Sequence, residues 1–296
     1  MSEMFESNPR TGENKSNQSF DKAEWARQKK EEREHAFDTM NQMSELVAQG
    51  PNWLKLYLDV QSRFPRIKVG NALLIAAQKP NAVELADFDT WKKRGVNIRQ
   101  GESGIVILER GNEYTRADGS QGVSYTSQKV FDISQTTAKA VPEPEVHYDD
   151  RLLLRALVFY APCEVQSADV SRIPAGSCAF YDKANRTIFV ARNQETKDLF
   201  PAIAKELAHA LMDSPDYSRD ACDFKAACVA YILCKRNGIE MTDDAVPAIP
   251  ENITGLDAKG IRGVLSDIRE VANKITKDME RINEVRKDER PHNDAR

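Results

Sequence analysis

Residues 199–211 read LFPAIAKELAHAL, and this stretch decides the fold of the second part of the chain. Its apolar residues recur at the three- and four-residue spacings that place side chains on one helical face. They are Leu199, Phe200, Ile203, Ala204, Leu207, Ala208 and Leu211. The pattern predicts a helix from about Glu195 to Met212, with Lys205, Glu206 and His209 as polar residues in the middle of it.

Residues 205–209, KELAH, match the zinc-peptidase pattern H-E-x-x-H everywhere except at its first position. In that pattern two imidazoles four residues apart bind one Zn²⁺, and the glutamate acts as general base on the bound water. Glu206 and His209 stand at the general-base and second-ligand positions, whereas Lys205 stands at the first-ligand position. A lysine ammonium has no lone pair for a metal. Zinc is therefore not expected as a cofactor, and Glu206 is expected to be a catalytic remnant.

The segments around the predicted helix follow the order of a gluzincin-like peptidase core. Two β-rich runs at 179–181 and 186–191 flank the turn Asp182–Asn185 and predict a hairpin. After the motif helix come a polar loop at 213–220 and a helix from about Ala221 to Asn237, ended by Gly238. A long amphipathic helix is predicted from about Asp257 to Val285.

The first part of the chain predicts an α+β fold. Helical patterns are followed by two strand-like runs, with a polar, glycine-containing segment between them that predicts a hairpin loop. The predicted helices lie at 21–49, from Trp53 onward, at 69–77 and at 84–94; the strands lie at 104–108 and 128–133, and the loop at 111–122.

Prolines and polar residues divide the chain into two predicted domains. The stretch 138–150 contains two prolines and four acids, which is typical of a linker, and residues 1–19 have the composition of a disordered segment. The predicted divisions are a disordered N-terminus at 1–19, a first domain at 20–137, a linker at 138–150, a second domain at 151–254, and a C-terminal helix and tail at 255–296.

Composition excludes several classes of protein. A net charge of −4 over 296 residues argues against a protein that coats nucleic acid along its whole length. Neither a secretory signal nor a run of 18 apolar residues is present, so no membrane partner is expected. The five cysteines form no CxxC pair, which favours reduced thiols and a cytoplasmic location.

Several blocks of sequence resemble the ArdC-type antirestriction proteins of mobile elements. The resemblance covers most of residues 20–240 and implies an N-terminal single-stranded-DNA-binding domain followed by a zinc-metallopeptidase-like domain. The blocks are Val69–Pro80, Phe88 with Trp91–Lys93, Gly101–Ile105, Val130–Thr136, Phe180–Asp182, Glu206–Ala210 and Ala226–Tyr231.

The departures from this family concern its metal ligands. The resemblance places the first ligand histidine at Lys205 and the third ligand, a glutamate, at Lys225. We expect the two ammonium groups to replace the charge of the metal and to pair with Glu206 in a metal-free site. Two alternatives stay open: Lys225 reaches solvent, or His209 holds a metal with other ligands drawn from Cys222, Asp223 and Cys228.

A nucleic-acid surface is predicted in the first domain. Residues 51–110 contain ten basic and six acidic side chains, so this region carries +4 within a chain of −4. Cations and aromatic rings together bind single strands, because cations follow the phosphates and rings stack on the bases. The candidates are Lys68, Asn71, Trp91, Lys92, Lys93 and Arg99, with Tyr114 and Arg116 of the loop 111–127 as further contributors. Trp53, Tyr57 and Phe88 stand at core-like positions.

The sequence thus predicts an ArdC-like protein that binds single-stranded DNA and carries a degenerate, inactive peptidase-like domain. Host or conjugation proteins are further possible partners. Two other functions remain open: an active zinc peptidase with non-standard ligands, and an interaction module that docks a partner through the C-terminal helix.

Overall fold

The computed structural model describes residues 21–138, 150–242 and 245–288. The predicted disordered N-terminus, nearly all of the predicted linker and the tail after Asp288 lie outside the described residues. Below, residues 21–138 are called the first half and residues 150–288 the second half.

The described chain is a mixed α+β protein, as predicted. The first half contains α1 (Lys22–Gln49), α2 (Pro51–Arg63), α3 (Val69–Gln78), β1 (Leu85–Asp87), α4 (Phe88–Lys93), β2 (Ile105–Thr115) and β3 (Gln121–Asp132). The second half contains α5 (Asp150–Phe159), β4 (Glu164–Ala168), β5 (Ala179–Asp182), β6 (Thr187–Ala191), α6 (Thr196–Leu211), α7 (Arg219–Arg236), α8 (Glu251–Thr254) and α9 (Ala258–Asp288). Within these residues no helix is long and apolar enough to cross a bilayer.

Local sequence signals account for the helix boundaries of the first half. The Asp21 carboxylate accepts the Ala23 N–H at 2.9 Å and so caps the first turn of α1. Gly50 separates α1 from α2, and Pro51 occupies the first turn of α2, where its missing N–H costs no hydrogen bond. These signals confirm the predicted helix starts near residues 21 and 53.

The first sheet is antiparallel, with the strand order β1-β3-β2. Its strands are longer than predicted, because β2 and β3 continue through most of the expected loop and leave only residues 116–120 as the turn. Tyr114 pairs with Gly122 across the strands, and the absence of a Cβ at Gly122 leaves room for the tyrosine ring. The predicted helix at 84–94 was also partly wrong: Leu85–Asp87 pairs with β3 as a strand before α4 begins.

The second sheet has the order β4-β6-β5 and carries the predicted hairpin. Strands β5 and β6 are antiparallel, and Asp182 accepts the Ala184 N–H at 2.9 Å in the turn between them. Strand β4 pairs parallel to β6 and was not predicted. Most of β4 is exposed, so it lacks the apolar alternation that identifies a strand from sequence.

One buried hydrophobic cluster includes helices from both halves. Helix α7 packs against α2, and α9 packs against α1 and α3 as well as against α5 and α7. The division into separate domains at 20–137 and 151–254 stays a prediction.

Candidate functional site

The motif helix α6 presents Glu206 and His209 to the protein interior, where they are 2% and 0% exposed. Glu206 is held at both oxygens. Oε1 accepts a hydrogen bond from Nη2 of Arg219 at 2.6 Å, and Oε2 accepts the backbone N–H of Tyr181 in β5 at 2.7 Å. Although burial works against the charge of Arg219, the hydrogen bond and the charge of Glu206 raise the pKa of this guanidinium. The motif glutamate is therefore one half of a buried ion pair.

His209 lies between a tyrosine and a carboxylate. Its Nδ1 is 3.0 Å from the Tyr217 hydroxyl oxygen, and its Nε2 is 3.4 Å from Oδ1 of Asp223. Burial, together with the charges of Arg219 and Lys205, lowers the pKa of His209, so the imidazole is neutral at pH 7. Burial raises the pKa of Tyr217 to about 12, which keeps its hydroxyl proton available to Nδ1.

Lys205 and Lys225, the lysines at the two expected ligand positions, do not pair with Glu206, so the expected pairing was wrong. Lys205 Nζ binds Oδ1 of Asp223 at 2.8 Å. Lys225 Nζ binds Oδ2 of Asp267 on α9 at 2.5 Å, away from Glu206. The cation that pairs with Glu206 is Arg219.

Charges at this site cancel within ion pairs. Three cations face three carboxylates, while the imidazole is neutral. The pairs are Arg219–Glu206 at 2.6 Å, Lys205–Asp223 at 2.8 Å and Lys183–Asp213 at 3.5 Å. A divalent metal requires ligands that bring uncompensated negative charge or free lone pairs. This ion-pair site, defined by those six residues with His209 and Tyr217, leaves no carboxylate without a cation.

The residues of the ion-pair site do not fit a zinc ion. The Lys205 ammonium stands at the first ligand position, and Arg219 forms an ion pair with the carboxylate of Glu206. Among the residues that the structure describes, no cluster of three or more His, Cys, Asp or Glu side chains is arranged to hold a metal. Of the open alternatives, only Asp223 comes near His209 in the described contacts. Cys228 is fully buried, and burial raises the pKa of its thiol.

Sequence reasoning missed Arg219 and named Asp223 only as an alternative metal ligand beside His209. They lie four residues apart near the start of α7, a spacing that places both on one helical face. That spacing was the available signal. It identifies a shared face but not the helix that this face meets.

The predicted nucleic-acid residues have unequal positions. Lys68, Lys92 and Lys93 are exposed, whereas Trp91 is 2% exposed and donates its indole N–H to the Phe131 carbonyl at 2.9 Å. Trp91 is thus a core residue and is unavailable for base stacking. Arg99 donates to the Ser134 carbonyl and also lies 3.4 Å from Glu102.

Two aromatic residues of the first half that were assigned to core-like positions are exposed. Phe88 is 54% exposed and Trp53 is 41% exposed, although both were assigned to core-like positions. Tyr57 is fully buried, in agreement with the sequence. Phe88 precedes Lys92 by four residues on α4, so the ring and the ammonium lie on the same side of this helix.

The Asn71 side chain forms hydrogen bonds with the outer edge of β2. Its amide accepts the Leu108 N–H at 2.9 Å and donates to the Leu108 carbonyl at 3.0 Å. Seven residues further along α3, Gln78 makes the same pair of bonds with the backbone of Val106, both at 2.9 Å. Two side-chain amides of α3 thereby take the place of a neighbouring strand. Asn71 acts in the fold, and its amide is not free to contact a base.

Asn71→Ala is expected to lower the free energy of unfolding by about 2 kcal/mol, because it leaves the Leu108 N–H and carbonyl without partners. Urea denaturation measures this loss. Gln78→Ala is the matched control and should cost less, since the Gln78 bonds are exposed to water. Equal, negligible losses for both variants would show that the amide pairs do not stabilise the edge.

The described protein has an α+β fold, and its second half carries a charge-balanced ion-pair site around buried Glu206 and His209. Its fold is similar to that of ArdC, the antirestriction protein of plasmid R388. The Mn(II)-bound crystal structure of ArdC matches with a TM-score of 0.50 and 15% identity, over 72% of this chain and 83% of that one. The metal-free ArdC structure gives 0.49 and 15%, over 72% and 84%. The resemblance expected from the sequence blocks is confirmed at the level of the fold.

A protein of Bacillus anthracis, the uncharacterized protein pXO2-81, is 25% identical over 244 aligned residues. The match covers 64% of this chain and 41% of the relative, so the chain spans about two fifths of that protein's length. No protein-family model matches the chain.

Proposed function

We propose that this chain is an ArdC-like antirestriction protein of a mobile element that acts by binding single-stranded DNA, without peptidase activity. In this proposal the second half is a gluzincin-like frame that has lost its metal. The observation that carries the proposal is the Arg219–Glu206 ion pair, because it puts a resident cation on the residue that would serve as general base.

The chemistry of peptide hydrolysis explains why this pair is decisive. A general base must accept a proton from the attacking water, so it needs an available oxygen lone pair within hydrogen-bond reach of that water. One oxygen of Glu206 accepts from Arg219 and the other accepts the Tyr181 N–H. The Tyr181 N–H belongs to β5, an edge strand of the second sheet. Its bond to Glu206 also removes that N–H from pairing with an extended peptide.

The ArdC structures support the antirestriction role, since the matched protein is an antirestriction protein solved both with and without Mn(II). Single-stranded DNA is the ligand that the resemblance implies. Host or conjugation proteins are further partners under the same proposal. The chemical basis for DNA binding in the described residues is α4, where exposed Phe88 lies on the same side of the helix as Lys92, and exposed Lys93 follows.

The proposed DNA contact predicts a loss of affinity and a weaker salt dependence. Lys92→Gln with Lys93→Gln should weaken binding of a labelled oligothymidine about 10-fold at low salt, and each lost phosphate contact should reduce the salt slope by about 0.7. Phe88→Ala should weaken binding without changing the slope, because stacking releases no counterions. Fluorescence anisotropy over a salt series measures both effects.

The matched control removes the same charge from α9, through Lys259→Gln with Lys277→Gln, both of which are exposed. Equal losses in the α4 and α9 pairs would show a general charge effect and would reject α4 as the interface. Absence of binding by the unmodified protein at low salt would reject the DNA proposal. Proteolytic activity that disappears in Glu206→Gln would instead establish an active peptidase.

A further inference from the structure

The end of α2 is enclosed by the second half of the chain. Arg236 of α7 donates to the carbonyls of Gln61 and Ser62, at 3.3 and 3.2 Å. These carbonyls belong to the last turn of a helix, where intrahelical donors are missing and the helix dipole is negative. Arg236 therefore completes a helix terminus in the other half of the chain.

Helix α9 continues the same contact along the turn that follows α2. Arg269 donates to the carbonyls of Ile67 at 2.8 Å and Arg66 at 3.3 Å. Asn273 donates to the Pro65 carbonyl at 2.9 Å. We call this set of contacts the α2 clamp: Arg236, Arg269 and Asn273 on the backbone of residues 61–67.

The α2 clamp is partly buried, and within the described part of the chain its side chains donate to backbone carbonyls and one hydroxyl and to no carboxylate. Burial and the neighbouring charge of Arg269 lower the pKa of Arg236 to about 10, and its third contact is the Thr276 hydroxyl at 2.9 Å. A buried guanidinium is costly unless its donors are satisfied. The carbonyls of the first half satisfy them, so the two halves stabilise each other at this point.

Further polar contacts join the halves outside the clamp. The Tyr231 hydroxyl donates to Asp59 at 2.8 Å. Arg262 of α9 donates to Asn41 at 2.8 Å and to the buried Ser44 hydroxyl at 3.2 Å. Beneath these bonds, α2 packs on α7 within the shared hydrophobic cluster, where Leu54, Tyr57 and Leu58 are fully buried. Without α7 and α9, the first half would expose this apolar face.

We infer that the second half serves as a structural scaffold for the first: α7 and α9 complete the core and the α2 terminus of the first half, and the two halves unfold as one cooperative unit. This role uses no peptidase chemistry and does not depend on the ligand of α4. It gives the peptidase-like half a function that survives the loss of its metal.

The chain provides a separate probe for each half. All three tryptophans, Trp25, Trp53 and Trp91, lie in the first half, and all five cysteines lie in the second. Buried Trp91 reports the first half by fluorescence, while pulse labelling of buried Cys228 and Cys234 by a thiol reagent reports the second. Mass spectrometry of the peptide that contains these two cysteines counts the labels at each urea concentration.

The full-length protein is expected to show coincident urea midpoints for both probes. Arg236→Met should move both midpoints down together by about 1 M, since the m-value of a protein of this size is a few kcal/mol per molar. Lys225→Met is the matched control: it removes a basic residue of α7 whose partner, Asp267, lies in the same half, and it should leave both midpoints in place. Tyr231→Phe is a milder second variant if Arg236→Met does not fold.

Separate midpoints for tryptophan fluorescence and thiol labelling would overturn the inference. So would a variant at Arg236 or Tyr231 that shifts the thiol midpoint and leaves the fluorescence midpoint unchanged. Coincident transitions that shift together support it, whatever the outcome of the DNA-binding measurements.

Discussion

Arg219→Met is expected to destabilise the protein by about 3 kcal/mol, because removing one partner of a buried ion pair leaves the other charge unpaired. The estimate stands at the low end of the usual range, since the Arg219 side chain is 33% exposed while that of Glu206 is only 3% exposed. Urea denaturation measures this loss.

Two controls separate the ion pair from a general effect of substitution. The double variant Glu206→Gln with Arg219→Met removes both charges and should recover part of the stability lost in Arg219→Met. Lys225→Met breaks a pair with exposed Asp267 and should cost less than about 1 kcal/mol. If Arg219→Met were as stable as the unmodified protein, Arg219 would not be the cation that compensates Glu206.

Lys205→His combined with Arg219→Ala is expected to create a zinc site around Asp223 and His209. Asp223 Oδ1 contacts both Lys205 Nζ at 2.8 Å and His209 Nε2 at 3.4 Å. An imidazole at position 205 would add a third ligand around the same point, and removing the guanidinium would release Glu206 from its cation. One additional ligand is worth about 3 kcal/mol, or about 100-fold in the Kd for Zn²⁺.

Titration calorimetry with Zn²⁺, together with metal analysis after gel filtration, measures this gain. The same double variant carrying Asp223→Asn is the control and should lose the added affinity. A gain that survives Asp223→Asn would mean that zinc binds elsewhere. Stoichiometric zinc in the unmodified protein, displaced by substitution of His209, would contradict the account of a metal-free ion-pair site.

Residue periodicity was sufficient to predict most helices and the second-sheet hairpin. The apolar spacing in 199–211 and the cap at Asp21 are local signals, so they can be identified in one segment at a time. Strand β4 and the extension of β2 and β3 depend on pairing with distant residues. Exposed polar segments such as 109–115 form strands because of their partner strand, and a single-segment pattern does not contain that information.

The residues of the ion-pair site were likewise predictable only where the signal lies within one segment. Glu206 and His209 were predicted because the five-residue motif at 205–209 places them on one helix. Arg219 was missed, and Asp223 was named only as an alternative metal ligand, because their ion pairs depend on α7 lying against α6. Lys225 was misplaced for the same reason. Trp91 and Asn71 were misassigned for a different reason. Side chains that can bind DNA can also form hydrogen bonds with backbone groups of the fold, and in this protein both side chains bond to the backbone.

The amide pairs of Asn71 and Gln78 bear on how this chain avoids self-association. An open strand edge is a template on which strands of other molecules can add and aggregate. Helix α3 closes the apolar part of β2, at Val106 and Leu108, and the strand continues past it as the exposed, charged run from Glu109 onward. A folding intermediate in which β2 and β3 have paired before α3 docks would expose an apolar edge. The order of these two events is therefore expected to set how much of the newly made protein reaches the native state and how much aggregates.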